Sequence, residues 1–247
     1  MGRRKRRCLI ACCAAALVVA TTGVALHVSG WSSVVRGAIA GKKTVADRVV
    51  EFGPAVRPRL SPHFDRAGVA YPPARVTLVG LKSEKRVDVH AAGGDGATRF
   101  IRSYPILAAS GRPGPKLKRG DRQVPEGVYA IESLNPNSRF HLALRVGYPN
   151  AFDREMGALD GRTDLGSDIM IHGKDVSIGC LAMGDEAAED LFVLAAETGI
   201  ENIRVILTPS CDPSPIPDLP TWAPRLYEQI KRELGSLPAP TTQPSAP

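Results

Sequence analysis

Aromatic residues are scarce in this chain: two Trp, five Tyr and six Phe among 247 residues. No basic stripe with interleaved aromatics occurs, which excludes the usual nucleic-acid surface. The formal charge of +7 does not restore one. Arg3, Arg4, Lys5, Arg6 and Arg7 carry +5 of it and leave +2 for the other 242 residues. Cysteine is also sparse. Of five, Cys8, Cys12 and Cys13 fall in the first apolar run, so only Cys180 and Cys211 lie beyond it. Cys180 and its near neighbour His172 supply two ligands where a zinc site needs four, and no Cys or His cluster lies close by. Neither a metal nor an organic cofactor is expected. A disulfide between Cys180 and Cys211 is open by count, but Cys180 is read as free and Cys211 as a bystander at the domain's end.

Proline (21) and glycine (24) are, by contrast, abundant. With this length they suit one loop-rich β domain plus appendages. Residues 1–7 form a basic flank, expected to stay cytoplasmic. Residues 8–26 carry no charge, and nineteen residues at 1.5 Å each span about 28 Å as a helix, close to a hydrocarbon core. Residues 8–29 are therefore read as a transmembrane anchor with the rest exported. A cleaved signal segment is the alternative. Residues 30–71 read as a stalk with a short helix at about 55–67, stopped by Gly68.

The domain is expected over 72–209. Strands are expected at 75–79, 86–90, 98–107, 127–131, 139–146 and 203–207, with a helix at 185–198. Short strands separated by turn signals point to a mainly β (α+β) fold, a β-sandwich or barrel. Residues 210–247 form a Pro-rich tail with one amphipathic helix at 222–234.

The chain's chemistry concentrates in residues 167–183. A β-rich run, Ile169-Met-Ile171, ends in His172-Gly173. A short polar loop then leads to Ser177-Ile-Gly-Cys180, eight residues on from the histidine. That spacing lets the chain turn back and bring an imidazole to a thiol, where the imidazole can take the thiol proton. Gly179 allows close backbone approach, and the Gly179 and Cys180 N–H groups are candidate oxyanion donors. A buried structural cysteine beside a satisfied histidine is the alternative for the same residue types. Asp168 shares a strand face with His172 by period two and is a candidate to orient the ring, a local bond being its alternative. His141 is read as structural or groove-lining.

The run His172-Gly173…Ser177-x-Gly179-Cys180 resembles the L,D-transpeptidase (YkuD-type) family, and in its short spacing the YafK-like branch. In order along the chain, Tyr104-Pro-Ile106, Gly114-Pro-Lys-Leu117, Gly120-Asp-Arg-Gln123, Pro125-Glu-Gly-Val-Tyr129, Asn135-Pro-Asn-Ser138 and Gly147-Tyr-Pro-Asn150 extend the likeness over about 54–209. The resemblance implies an L,D-transpeptidase-type fold with a helix after the catalytic cysteine. It implies Cys180 as nucleophile, His172 as proton donor and acceptor, Ser177 as an orienting hydroxyl and Gly179 as part of the oxyanion hole.

It also implies peptidoglycan stem peptides as partners, attacked after the L-centre of the third residue, with the Pro125-Glu-Gly127 element near the substrate groove. Hydrolysis by the same residues, as an L,D-endopeptidase or carboxypeptidase, is one alternative, and a non-catalytic peptidoglycan-binding module is another. Many family members carry Arg two residues after the cysteine. Here that position is Ala182, as in the YafK-like branch.

Overall fold

The computed structural model describes residues 41–212, 216 and 218–239. The expected anchor at 8–29 and the end of the tail lie outside the described residues. Among the described residues no helix is long and apolar enough to cross a membrane. From Lys43 on, the described residues group as one compact unit.

Helix α1 (Val45–Ala67) opens this unit. The Thr44 hydroxyl accepts the Asp47 N–H at 3.1 Å, and the Asp47 carboxylate accepts the Thr44 N–H at 2.8 Å. This reciprocal box satisfies donors that a helix start otherwise leaves open. Val56, Leu60 and Phe64 recur every four residues and are fully buried. Pro54, Pro58 and Pro62 share the same period but lie on the exposed side. There, carbonyls that lose an N–H partner to proline are open to solvent rather than stranded in the core. The expected stalk with a helix at 55–67 is thus corrected: the helix is ten residues longer and packs into the domain core. Prolines spaced by four on the solvent face leave the buried stripe unbroken.

Nine strands follow: β1 (Arg75–Leu81), β2 (Arg86–Ala92), β3 (Thr98–Pro105), β4 (Ala108–Ala109), β5 (Gly127–Ser138), β6 (His141–Val146), β7 (Met170–His172), β8 (Leu181–Ala182) and β9 (Ile203–Thr208). Helix α2 (Ala151–Leu159) lies between β6 and β7, α3 (Asp185–Thr198) between β8 and β9, and α4 (Ala223–Gly235) after β9. The strands form one sheet in the order β3-β2-β1-β9-β5-β6-β7-β8-β4. The pairs β1·β9 and β7·β8 are parallel and the rest antiparallel.

Strand β5 joins the two halves of the sheet and carries register shifts near Ile131–Ser133 and Asn135–Ser138. The two edge strands, β3 and β4, are separated in the chain by Ile106 and Leu107 alone. The Ile106 N–H donates to the Lys85 carbonyl at 2.7 Å and the Leu107 N–H to the Ala182 carbonyl at 2.8 Å. The sheet therefore curls until its edges approach. A sheet-dominated α+β fold is present, built as one curled mixed sheet rather than as two separate stacked sheets.

Alternation along β1 sorts its side chains to two sides. Val76 and Leu78 enter the main core with α1 and α3, while Val79 and Leu81 meet Ile206, Leu226 and Ile230. Helix α4, whose role the sequence left open, covers that second face. Helix α3 occupies the expected 185–198, with Leu191, Leu194 and Ala195 buried as its periodicity required. Asp190 on α3 is fully buried, accepts from Arg59 of α1 at 2.9 Å and from Tyr104 of β3 at 2.9 Å, and so ties three elements together. Burial pushes its carboxyl above the usual carboxylate value, with Arg59 and Tyr104 opposing.

Candidate active site

Strands β7 and β8 place the expected pair. Ile171 pairs with Leu181 and His172 with Ala182 in a parallel ladder. Cys180 therefore enters β8 level with Met170, two residues before His172 on its neighbour. Side chains two apart share a face, so thiol and imidazole lie on one side, separated by about one strand spacing across and two residues along. Cys180 Sγ donates to the Asp168 carbonyl at 3.6 Å. His172 is buried, its ring stacked on Phe140 with centroids 4.7 Å apart.

His172 Nδ1 lies 2.6 Å from the Gly173 carbonyl oxygen. A carbonyl only accepts, so Nδ1 carries the proton and Nε2 keeps its lone pair. The orienting group is this main-chain oxygen and not the Asp168 side chain, which pairs with Arg145 at 2.9 Å and accepts from Ser167 at 2.9 Å. Gly173 itself has no room to spare. A Cβ there would stand 2.8 Å from the Phe140 carbonyl oxygen and 2.5 Å from Asp185 Oδ1.

The Ser177 hydroxyl accepts the Cys180 N–H at 2.9 Å and donates to the Cys180 carbonyl at 2.5 Å. Both main-chain groups of Cys180 are thus held by one side chain three residues earlier. Gly179 has φ +100, a conformation open to glycine, and its N–H donates to Ser110 Oγ at 2.5 Å. The expected oxyanion donors, the Gly179 and Cys180 N–H groups, therefore both have hydroxyl partners in this structure. Partly buried amides are costly to leave unpaired, and nearby hydroxyls fill them. Ser110, which sequence reasoning missed, also donates to the Arg122 carbonyl at 2.7 Å. Its only sequence signal was its place at the head of residues 110–126, the longest turn-rich segment inside the domain.

That segment divides into two roles. Ser110 and Arg122 reach the nucleophile loop, whereas Glu126, in the Pro125-Glu-Gly127 element expected near the substrate groove, is fully buried and bonded to Lys82, Gly114 and Tyr227. His141 is structural: its Nε2 lies 3.0 Å from Glu189 Oε1 and its ring packs edge-on against Phe52. Ala182 is fully buried beside His172. Cys180 and Cys211 are both free thiols, and Cys211 lies against Arg86 and Glu84 instead of the site.

The family model for the L,D-transpeptidase catalytic domain (YkuD) matches residues 81–205, just over half of the chain. The chain belongs to the YkuD L,D-transpeptidase family. Among its relatives is the Escherichia coli K12 protein named "Putative L,D-transpeptidase YafK", 38% identical over 114 residues, which are 45% of this chain and 44% of that protein. The counterpart in E. coli O157:H7 matches equally. The chain thus spans less than half the length of the curated relatives it matches.

Among solved structures, the helical cell shape determining protein Pgp2 from Campylobacter jejuni is 22% identical, covering 55% of this chain and 48% of that one, with a TM-score of 0.45. Bd1075 from Bdellovibrio bacteriovorus is 21% identical, covering 65% and 54%, with a TM-score of 0.40. L,D-transpeptidase 1 from Mycobacterium tuberculosis is 17% identical, covering 54% and 61%, with a TM-score of 0.32.

The electrostatics of this YkuD site set its resting protonation. Burial pushes the Cys180 thiol above the usual cysteine value, the Met170 main chain opposes it, and the smaller effects of Asp168 (raising) and Lys116 (lowering) follow. Burial pulls His172 below the usual histidine value, partly offset by the Gly173 carbonyl. At neutral pH the pair is accordingly a thiol beside a neutral imidazole. Alkylation of Cys180 by iodoacetamide, followed by peptide mapping, is expected to keep accelerating beyond pH 9 because the thiolate grows only there. A rate already at its plateau near pH 7 would mean a preformed thiolate–imidazolium pair and contradict this assignment.

Proposed function

We propose that this protein is a peptidoglycan L,D-transpeptidase working through a thioester at Cys180. The observation that carries this reading is the shared face of β7 and β8, with the imidazole tautomer set by Gly173. His172 Nε2 takes the thiol proton as sulfur attacks the carbonyl carbon of the donor peptide bond. The C–N bond then breaks, and the amine leaves with the proton from the imidazolium. The thioester is opened by the amine of a second stem peptide, whose surplus proton passes to His172.

As charge builds on the carbonyl oxygen, it competes with Ser110 Oγ for the Gly179 N–H. An anionic acceptor makes the stronger bond, so the exchange favours the transition state. Ser177 keeps the Cys180 backbone in place throughout. Exposed Val176 and Ile178 on the nucleophile loop offer an apolar rim to an extended peptide.

The reading places the enzyme outside the cytoplasm, facing the wall, anchored or exported through residues 8–29. The uncharged run behind five basic residues supports this. Muropeptide analysis of purified sacculi incubated with the protein tests the reaction. New dimers joined through third residues support transfer. Loss of dimers or release of tripeptide stems supports the hydrolytic alternative, and unchanged sacculi that retain the protein support a binding module.

A further inference from the structure

Against the nucleophile loop, at Ile178 and Gly179, lies a small cavity of about 110 Å³, lined also by Lys116, Arg119, Arg122 and Asp168 among others. Three cations against one carboxylate make it a place for an anion, yet two of the cations are already neutralised. Lys116 is paired with Asp121, and Arg119 with Asp164 at 2.8 Å. The carboxylate, Asp168, is itself taken by Arg145. Arg122 is different. Among the described residues its guanidinium meets no acceptor, while its carbonyl and both neighbouring residues are held by hydrogen bonds.

The Arg122 carbonyl accepts from Ser110, whose Oγ also accepts the Gly179 N–H. On one flank the Asp121 carboxylate accepts the N–H groups of Leu117 at 2.9 Å, Lys118 at 3.0 Å and Gln123 at 3.0 Å. On the other, the Gln123 amide donates to the carbonyls of Arg112 and Gly114 at 2.5 and 2.6 Å. Arg122 sits between them with φ +56, a left-handed conformation that an arginine adopts at a cost. Its carbonyl carbon lies 3.9 Å from the position a Cβ on Gly179 would take. A rigid loop thus presents one unpaired cation next to the residue before the nucleophile.

We propose that Arg122 is the carboxylate-binding residue for the acyl-donor peptide, gripping a carboxylate that flanks the scissile bond. The inference rests on the acyl-transfer reading above. A guanidinium fork matches a carboxylate with two parallel N–H bonds, which fixes the donor's orientation as well as its affinity. Two donor carboxylates have this chemistry: the terminal one of the leaving D-alanine and the side-chain one of the third residue.

Binding of a tetrapeptide stem to the full chain carrying Cys180→Ser is measured by calorimetry, alongside two peptides amidated singly at those carboxylates. One amide is expected to bind about tenfold more weakly, which identifies the gripped group. Arg122→Gln is expected to erase that difference, and Arg122→Lys to restore it in part. Equal binding of all three peptides, or a difference that survives in Arg122→Gln, overturns the subsite. Mass spectrometry of the unsubstituted chain with the same peptides separates this from the parent reading. Thioester formed equally fast from acid and amides overturns the subsite and leaves acyl transfer standing. Arg122-dependent binding with no thioester from any peptide upholds the subsite and removes acyl transfer.

Discussion

His172→Gln is expected to slow acylation of Cys180 by a stem peptide by about 10²–10⁴-fold at pH 7. The size follows from the resting protonation of the pair. A thiol pushed above its usual value of 9.0 is under about 1% ionised at neutral pH, so attack needs a base in place. Glutamine fills a similar volume against Phe140 but has no basic lone pair to receive the proton. The deficit should shrink as pH rises, because hydroxide then generates the thiolate that the imidazole no longer provides.

In the unsubstituted protein the acid limb lies below pH 6.5, since burial lowers the His172 value and the base stays neutral further into acid. Single-turnover acylation followed by intact mass across pH 5–10 reads both curves. A variant with the same deficit at every pH would assign His172 a purely structural role.

Glu126→Ala is expected to destabilise the fold by about 3–5 kcal/mol, the usual consequence of stranding one member of a buried ion pair. Glu126 is fully buried, and Lys82 Nζ donates to it at 3.0 Å from a side chain that is 7% exposed. The same carboxylate accepts the Gly114 N–H at 2.8 Å and the Tyr227 hydroxyl at 2.5 Å. Removing it leaves an ammonium with only the carbonyls of Arg112, Gly114 and Val124. It also removes the polar link from α4 to the segment that carries Ser110 and Arg122.

Burial already lowers the Lys82 value, with Glu126 opposing, so the variant lowers it further. A lysine whose folded value is depressed binds fewer protons folded than unfolded, so stability rises with pH through that interval. The deficit of Glu126→Ala should therefore narrow from neutral pH toward 10.5. Urea denaturation at several pH values measures it. A loss under about 1 kcal/mol would show that this network is solvated in solution.

What could be read from the sequence was local. Strands β1, β2, β3 and β9 announce themselves by alternation, and α3 by acidic residues at its start and glycine at its end. The neighbouring, in-register placement of the His172 strand and the strand that follows Cys180 was legible because a strand end and its return loop are separated by few residues. Other contacts were set by distant parts of the chain. Ser110 reaches Gly179 across 69 residues, and no residue pattern near either one signals it. The partners of Glu126, a lysine and a tyrosine far away in sequence, are likewise unmarked by its own motif.

Two signals were present but weak. The Asn150…Asp153 pair forms a reciprocal capping box that starts α2, a helix not anticipated. The Asn135-Pro-Asn-Ser138 run has the composition of a turn, yet it continues β5 because irregular register accommodates it.

The most direct test of the central claim is the intact mass of the protein after incubation with a tetrapeptide stem, with peptide mapping of the adduct. The account predicts a gain equal to the stem less its terminal D-alanine, located on Cys180 and absent from Cys180→Ala. An adduct on another residue, or one that persists in Cys180→Ala, would contradict it.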